Sequence, residues 1–393
     1  VLKKKFLFAS AMALYPPLLR VAEVIVSDHD LEGHVLAPEA YAVPRVYHPD
    51  GRLAQKDFNS ASTPLFMHFL PVEGDNVELF GFARRAFRRL LNDIAPDYIW
   101  IHGEFWQAIS HQFLRHYYFR PKPRIVAYVA VNHVPGITPL FVGRFPFLRR
   151  SRLKQILLWP RLNGVVACAT KSKECARRLG LPPQVPVKVT YLPVLGPEDA
   201  EAEAISLPWP RTGSVVVGFA GNLTTQKGWK ILLQALERLP ESFKLVMAGD
   251  GPERQELLEW LAKPGLQGRV HYAGVLAKDQ LLASYPLFDV LVLPSLTTPQ
   301  SVEQFGAVLG EAMACGVPVI GSDSGAIPET IGTAGLVVPE GDSAALAQAI
   351  DLLTRDQELR FRVVAAGRQK YHNLYSIRSY ARSLSDFIMT SAD

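Results

Sequence analysis

Acidic residues are missing from one long stretch of this sequence. Between Phe105 and Lys173 there is no Asp or Glu, while twelve Lys and Arg residues fall there. The gap makes the charge uneven: residues 1–200 carry a net +10 and residues 201–393 a net −5, within a total of +5. A basic first half of this kind favours an anionic neighbour, but no nucleic-acid motif accompanies the charge, so nucleic acid is not the expected partner. Cysteine is scarce. Cys168, Cys175 and Cys315 show neither CxxC spacing nor a disulfide framework, which excludes a structural zinc site and fits reduced thiols in a cytoplasmic protein. No uninterrupted apolar run reaches the roughly 18 residues of a membrane-spanning helix. After Lys3-Lys4-Lys5, the apolar segment Phe6-Leu7-Phe8 is too short for a signal-peptide core and reads as a first β-strand. No internal repeat or low-complexity tract is visible.

What is present is a globular composition, 48% apolar and 20% charged, in 393 residues, a length suited to two domains. Short apolar runs alternate with helical patterns throughout, the signature of parallel sheets covered by helices. Strands are expected at Phe6–Ser10, His34–Ala37, Tyr98–His102, Ile125–Val131, Val165–Ala169 and Val187–Leu192 in the first half. In the second half they are expected at Val215–Ala220, Lys244–Ala248, Arg269–Ala273, Val290–Leu293, Val317–Gly321 and Leu336–Val338. The fold class is therefore α/β, with two doubly wound parallel-sheet domains. The proline-rich stretch Gly196–Thr212 reads as a linker, giving a first domain over 1–195, a linker over 196–213, a second domain over 214–375 and a C-terminal helix over 376–393 that packs back on the first.

The chemistry concentrates in the second half. From Pro294 a strand end leads through a polar loop to a helix expected to open at Phe305-Gly306. Unpaired N–H groups at such an opening suit a diphosphate. Glu303 precedes this helix and Glu311 lies about two turns later. Carboxylates accept paired hydrogen bonds from vicinal hydroxyls, as on a sugar or ribose, although spacing alone leaves open a solvated loop acid and a helix-surface acid. A second strand runs into Gly221-Asn222-Leu223-Thr224-Thr225-Gln226-Lys227-Gly228 and a helix, an arrangement that aims backbone amides and one cation at phosphate oxygens. A third glycine turn, Ala248-Gly249-Asp250-Gly251-Pro252-Glu253, again sits at a strand's carboxyl end.

With GNLTTQKG, AGDGPE, VHYAG and EQFGAVLGEAMACGVPVI in this order, Val215 to about Leu353 resembles the donor domain of family-4 glycosyltransferases, retaining enzymes of the GT-B fold. The first half resembles the family more loosely, through GHVLAP, DYIWIHG and LNGVVACATKS. The resemblance implies two Rossmann-like domains facing a cleft, and transfer of a sugar from a nucleoside diphosphate sugar to a hydroxyl acceptor, saccharide or lipid-linked. It implies no cofactor and no metal. It assigns Glu311 to the ribose, Glu303 to the donor sugar near the reaction centre, Lys227 to the diphosphate, the amides of Phe305, Gly306 and Ala307 to sugar or phosphate, and the turn from Tyr272 to Gly274 to the base. Gly221 and Gly251 belong to the donor loops, and His133 is assigned to a sugar hydroxyl from the first domain, with His102 as its alternative. Two departures stand out: Asn222 occupies the place of the family's usual arginine, and Ala11–Pro17 replaces a Gly-Gly loop. Asn brings no charge, so diphosphate neutralisation weakens or falls to another cation.

Between Phe141 and Trp159, five basic residues interleave with apolar ones, a pattern suited to a helix on an anionic membrane. That reading makes the protein peripheral on the inner membrane face, in glycan, polysaccharide or glycolipid synthesis. Val at position 1 fits a GTG start or a trimmed chain and so suggests a bacterial source. Asp28-His29-Asp30 matches the metal-holding Asp-x-Asp signature of a different glycosyltransferase fold, but its place far from the donor loops predicts a turn. A nucleotide-sugar epimerase and a non-catalytic nucleotide-sugar-binding protein are the competing readings, the latter favoured only by Asn222.

Overall fold

The computed structural model describes residues 2–10, 12–13, 15–42, 52–54, 63–73, 81–130, 157–200, 202–299 and 301–390. Contacts divide them into two units, one built from the chain up to Pro193 plus Ile377 onwards, the other from Val194–Ser376.

The first unit holds a seven-stranded sheet. Its strands are β1 (Lys5–Ala9), β2 (Glu32–Pro38), β3 (Phe66–Leu70), β4 (Tyr98–Glu104), β5 (Arg124–Val129), β6 (Gly164–Ala167) and β7 (Val187–Val189). They lie in the order β7-β6-β5-β4-β1-β2-β3, and every pairing is parallel. Phe6 to Ala9 are fully buried at the middle of this sheet, as expected where helices cover both faces. The helices α1 (Pro16–Asp28), α2 (Arg84–Ile94), α3 (Ala108–His116) and α4 (Thr170–Arg178) complete the layers. The edge strand β3 is absent from the sequence reading; FMHFL is only partly buried there and lacks the continuous apolar run that marks the central strands.

The second unit repeats the plan with β8 (Val215–Ala220), β9 (Phe243–Ala248), β10 (Val270–Gly274), β11 (Val290–Leu293), β12 (Val319–Ser322) and β13 (Gly335–Val338). Their order, β10-β9-β8-β11-β12-β13, reverses direction between β8 and β11, the switch point at whose carboxyl ends ligands bind in open α/β sheets. The helices are α5 (Trp229–Glu237), α6 (Arg254–Leu261), α7 (Lys278–Ser284), α8 (Ala307–Ala314), α9 (Ile327–Ile331), α10 (Ser343–Arg355) and α11 (Gln357–Lys370). All twelve strands expected from the sequence are present, with ends shifted by up to three residues.

The stretch expected to be a linker is instead fastened to the second unit. The Ile205 N–H donates to Ser284 Oγ at 3.1 Å, Trp209 Nε1 donates to the Gly268 carbonyl at 2.7 Å, and Arg211 reaches the Leu287 carbonyl. Irregular backbone rich in proline reads as a linker in sequence, whereas these side-chain anchors carry no periodic signal. The last helix, α12 (Ile377–Thr390), belongs to the first unit. Lys188 Nζ donates to the Ser383 carbonyl at 2.8 Å, and the Phe387 ring fills the space where a Cβ on Gly164 would fall, 2.5 Å away.

Arg269 is buried behind the second sheet. Its Nη2 donates to the carbonyls of Leu236, Leu239 and Pro240 at 2.8 to 3.0 Å, gathering the end of α5 and the turn after it onto one guanidinium. Replacing it removes three charge-assisted hydrogen bonds from this turn at once. Arg269→Leu is expected to destabilise the protein by about 2–4 kcal/mol, measured by denaturant unfolding, while Arg254→Leu on the exposed side of α6 changes little.

Candidate functional site

The site grows from three strand-to-helix loops at the carboxyl edge of the second sheet. After β8 the chain passes through Gly221 and Asn222 into a short 3-10 turn, Thr225–Lys227, before α5 begins at Trp229. The turn after β9 presses against it. Gly249 has φ +132°, and a Cβ there would lie 1.9 Å from the Gly221 carbonyl oxygen, so only glycine fits. Leu223 N–H donates to the Asp250 carbonyl at 2.9 Å, and the Glu253 side chain then locks the two loops. Its carboxylate accepts from Thr225 N–H at 2.6 Å, Thr225 Oγ1 at 2.5 Å and Trp229 Nε1 at 2.8 Å. Burial would raise this carboxyl, but those donors outweigh it and hold it below its ordinary value.

Between these loops lies a cavity of about 450 Å³. Gly221, Asn222 and Gly251 line it, as do Lys278 of α7 and Val308 of α8. Beyond the end of β10 its wall is Val275 and Leu276 rather than Tyr272 and Gly274. Those two residues buttress the turn instead: Tyr272 OH donates to the Gly249 carbonyl at 3.0 Å, and the Gly274 carbonyl accepts from Gly249 N–H at 2.7 Å.

The third loop joins β11 to α8. Gly306, in the left-handed region at φ +79°, caps the helix that starts at Ala307. Phe305 is buried edge-on to Tyr375, with ring centroids 5.2 Å apart, and its carbonyl accepts from Thr330 Oγ1 at 2.7 Å. Glu303 is 7% exposed and takes Lys227 Nζ at 2.6 Å and Ser295 Oγ at 2.8 Å on the same oxygen. Burial acts to raise the Glu303 carboxyl, yet the Lys227 charge and hydrogen bonds from Lys227, Ser295 and the Gly306 N–H win, so it lies below its ordinary value and is ionised at neutral pH. Glu311, 1% exposed, is bound on one oxygen by Lys278 Nζ at 2.7 Å and on the other by Tyr285 OH at 2.7 Å. Neither acid is the solvated surface group that spacing alone allowed.

Lys278, Tyr285, Ser295 and Glu253 were not singled out in the sequence. Glu253 ends a quoted motif, AGDGPE, but its partners come from a loop 28 residues away. Lys278 opens a short helix with no pattern of its own, and only the fold brings it to Glu311. His133 lies outside the described residues, as do residues 141–156 of the basic stretch. His102 ends up partly buried in the first unit, its ring stacked on Tyr128 at 4.3 Å, and burial lowers its pKa to about 4, so it is neutral at pH 7. Asp28 ends α1, and Asp30 sits at φ +50° and pairs with Lys3, a turn. Among the described residues no three His, Cys, Asp or Glu side chains cluster as metal ligands, and no helix is long and apolar enough to cross a membrane.

Comparison with known proteins adds independent findings. Residues 206–370 match the family described as Glycosyl transferases group 1. The chain is 34% identical over 202 residues to the 2-deoxystreptamine N-acetyl-D-glucosaminyltransferase of Streptomyces fradiae, covering 50% of this chain and 46% of that protein. It is 36% identical over 166 residues to the phosphatidyl-myo-inositol mannosyltransferase of Mycobacterium leprae, covering 41% of this chain and 42% of that protein. The matched part thus spans less than half the length of either relative. Among solved structures, Anabaena Alr3699/HepE in complex with UDP and glucose superposes with a TM-score of 0.66 at 17% identity, covering 98% of both chains. WaaG, a glycosyltransferase involved in lipopolysaccharide biosynthesis, superposes with a TM-score of 0.60 at 16% identity, covering 98% of this chain and all of that one. The two parallel sheets are therefore those of the GT-B fold, and residues 206–370 are similar to the group 1 glycosyl transferases.

Proposed function

We propose that this protein is a retaining, metal-independent glycosyltransferase that moves a sugar from a nucleoside diphosphate sugar to a hydroxyl on a saccharide or lipid-linked acceptor. The observation that carries the reading is the pair of buried carboxylates, Glu303 and Glu311, each held ionically beside a loop-lined cavity at the sheet's switch point. Two relatives are named for 2-deoxystreptamine and for phosphatidyl-myo-inositol, which supports either class of acceptor.

In this reading the nucleotide occupies the cavity, with Glu311 accepting the ribose hydroxyls. The diphosphate meets Lys227 and the amides at the start of α8, donors whose help grows as the leaving group gains charge. Asn222 contributes a hydrogen bond without charge, so Lys227 carries more of the neutralisation. Glu303 orients the sugar, and its existing contact with Lys227 couples that role to the phosphates. His133 is the residue the family resemblance assigns to the donor sugar from the first domain.

Three outcomes test the proposal. Glu311→Ala should weaken nucleoside diphosphate binding about tenfold or more in calorimetry, and Glu303→Ala should chiefly lower turnover, followed as nucleotide released from a panel of nucleotide sugars; near-wild-type values in both would sink the assignment. Turnover should persist in chelator, and loss restored by manganese or magnesium would count against it. The third concerns pH. Because the Glu303 pKa is lowered, its ion pair stabilises the fold above the ordinary carboxylate value, near 4.5, and that stability is lost as pH falls through the lower folded value. In Lys227→Met burial dominates and raises the carboxyl, so the variant should melt below wild type at pH 7, with the gap narrowing toward pH 4.

A further inference from the structure

A second concavity lies in the first unit, between α2 and α3. It is about 130 Å³ and is lined by Arg84, Phe87, Arg88, Gln112, Arg115 and His116. Its charge follows from two amphipathic helices. In α2, Arg-Arg-Ala-Phe-Arg-Arg-Leu-Leu, the apolar residues Phe87 and Leu91 turn into the core, which leaves Arg84 and Arg88, one turn apart, at the rim. In α3, Phe113 and Leu114 are buried, while Arg115 and His116 face the same hollow.

The walls are fixed in place. Gln112 is tied at both ends of its amide to the Phe82 backbone, accepting at 3.0 Å and donating at 2.7 Å. Arg115 Nε donates to the His111 carbonyl at 3.2 Å. His116 stands edge-on to the Phe87 ring at 6.1 Å, and Arg120 Nη1 approaches its Nε2 at 2.7 Å while also donating to Asn92 Oδ1 at 3.0 Å. A guanidinium only donates, so His116 must accept and is neutral; burial first, then Arg120 and Arg88, lower its pKa to about 4.

No described carboxylate pairs with Arg84, Arg88 or Arg115; the acid of α2, Asp93, lies 3.9 Å from Arg89. Lys227 and Lys278 of the second unit, by contrast, each hold a carboxylate. Three guanidiniums crowded round a hollow with a buried ring at its base repel one another, and an anion relieves that repulsion. The hollow is too small for a nucleotide sugar and suits one tetrahedral oxyanion, which guanidinium forks grip in paired hydrogen bonds.

We propose that the hollow between α2 and α3 is a binding site for a phosphate monoester or diester group, held by Arg84, Arg88 and Arg115. The phosphate comes from a soluble phosphorylated compound or from a phospholipid headgroup, and one experiment separates the sources. The full-length protein is titrated with glycerol 1-phosphate in a calorimeter and, separately, sedimented with phosphatidylcholine vesicles with and without phosphatidylglycerol. The variant carries Arg84→Gln, Arg88→Gln and Arg115→Gln; a control removes equal charge elsewhere in the same unit through Lys173→Gln, Arg178→Gln and Arg382→Gln. Saturable binding of glycerol 1-phosphate, weakened at least tenfold in the first variant and under twofold in the control, supports the site with a soluble source. Binding only to phosphatidylglycerol vesicles with the same selectivity supports it with a headgroup source. A triple Arg→Lys variant, which keeps the charge, should retain part of either signal and guards against misfolding. Binding of neither probe, or equal loss in variant and control, overturns the proposal.

Discussion

The contact on which the second unit's ligand face depends is the ion pair between Lys227 and Glu303, 2.6 Å long and mostly out of water. It joins the loop after β8 to the loop after β11, the two strands that flank the switch point. A buried carboxylate without a cation is costly, and so is a cation without a carboxylate. Each loop therefore holds the other in register. Ser295 and the Gly306 N–H add hydrogen bonds to the same carboxylate, so one charge organises a strand end, a turn and a helix start. Glu311 repeats the device half a helix away, with Lys278 and Tyr285 tying α7 and the turn after it to α8.

Between these charged ties the backbone itself forms the surface. Gly249 brings the turn after β9 onto the Gly221 carbonyl, where no side chain fits. The glycines thus let backbone rather than side chains line the cavity's edge, and Glu253 fixes the loops that carry it. A rigid frame costs little conformational freedom when a ligand arrives.

Sequence and structure part company in instructive places. The buried central strands were legible because parallel strands covered on both faces must be apolar at nearly every position, as in Val290–Leu293. The edge strand Phe66–Leu70 was not, since half-exposure removes that constraint. At the site, the acids and glycines were legible as local patterns, with spacing that fits a turn followed by a helix. Their partners were not. Lys278 lies 33 residues from Glu311, and Ser295 lies in a loop with no period, so only the topology brings these groups together. The anchors of Gly196–Thr212 were not legible either, because the side chains that make them act one at a time.

The first unit is stitched from both ends of the described chain. Helix α12 lies over strands formed hundreds of residues earlier, with Phe387 seated on Gly164, Tyr380 beside Trp100, and Arg124 gripping the Met389 carbonyl. On a ribosome, the early part of this unit must emerge and wait, one flank uncovered, while the whole second unit is synthesised. The described residues of the second unit all fall between Val194 and Ser376 and meet no such delay. The order of completion is thus inverted relative to the order of translation: the later unit finishes first, and the earlier one closes only once α12 has emerged.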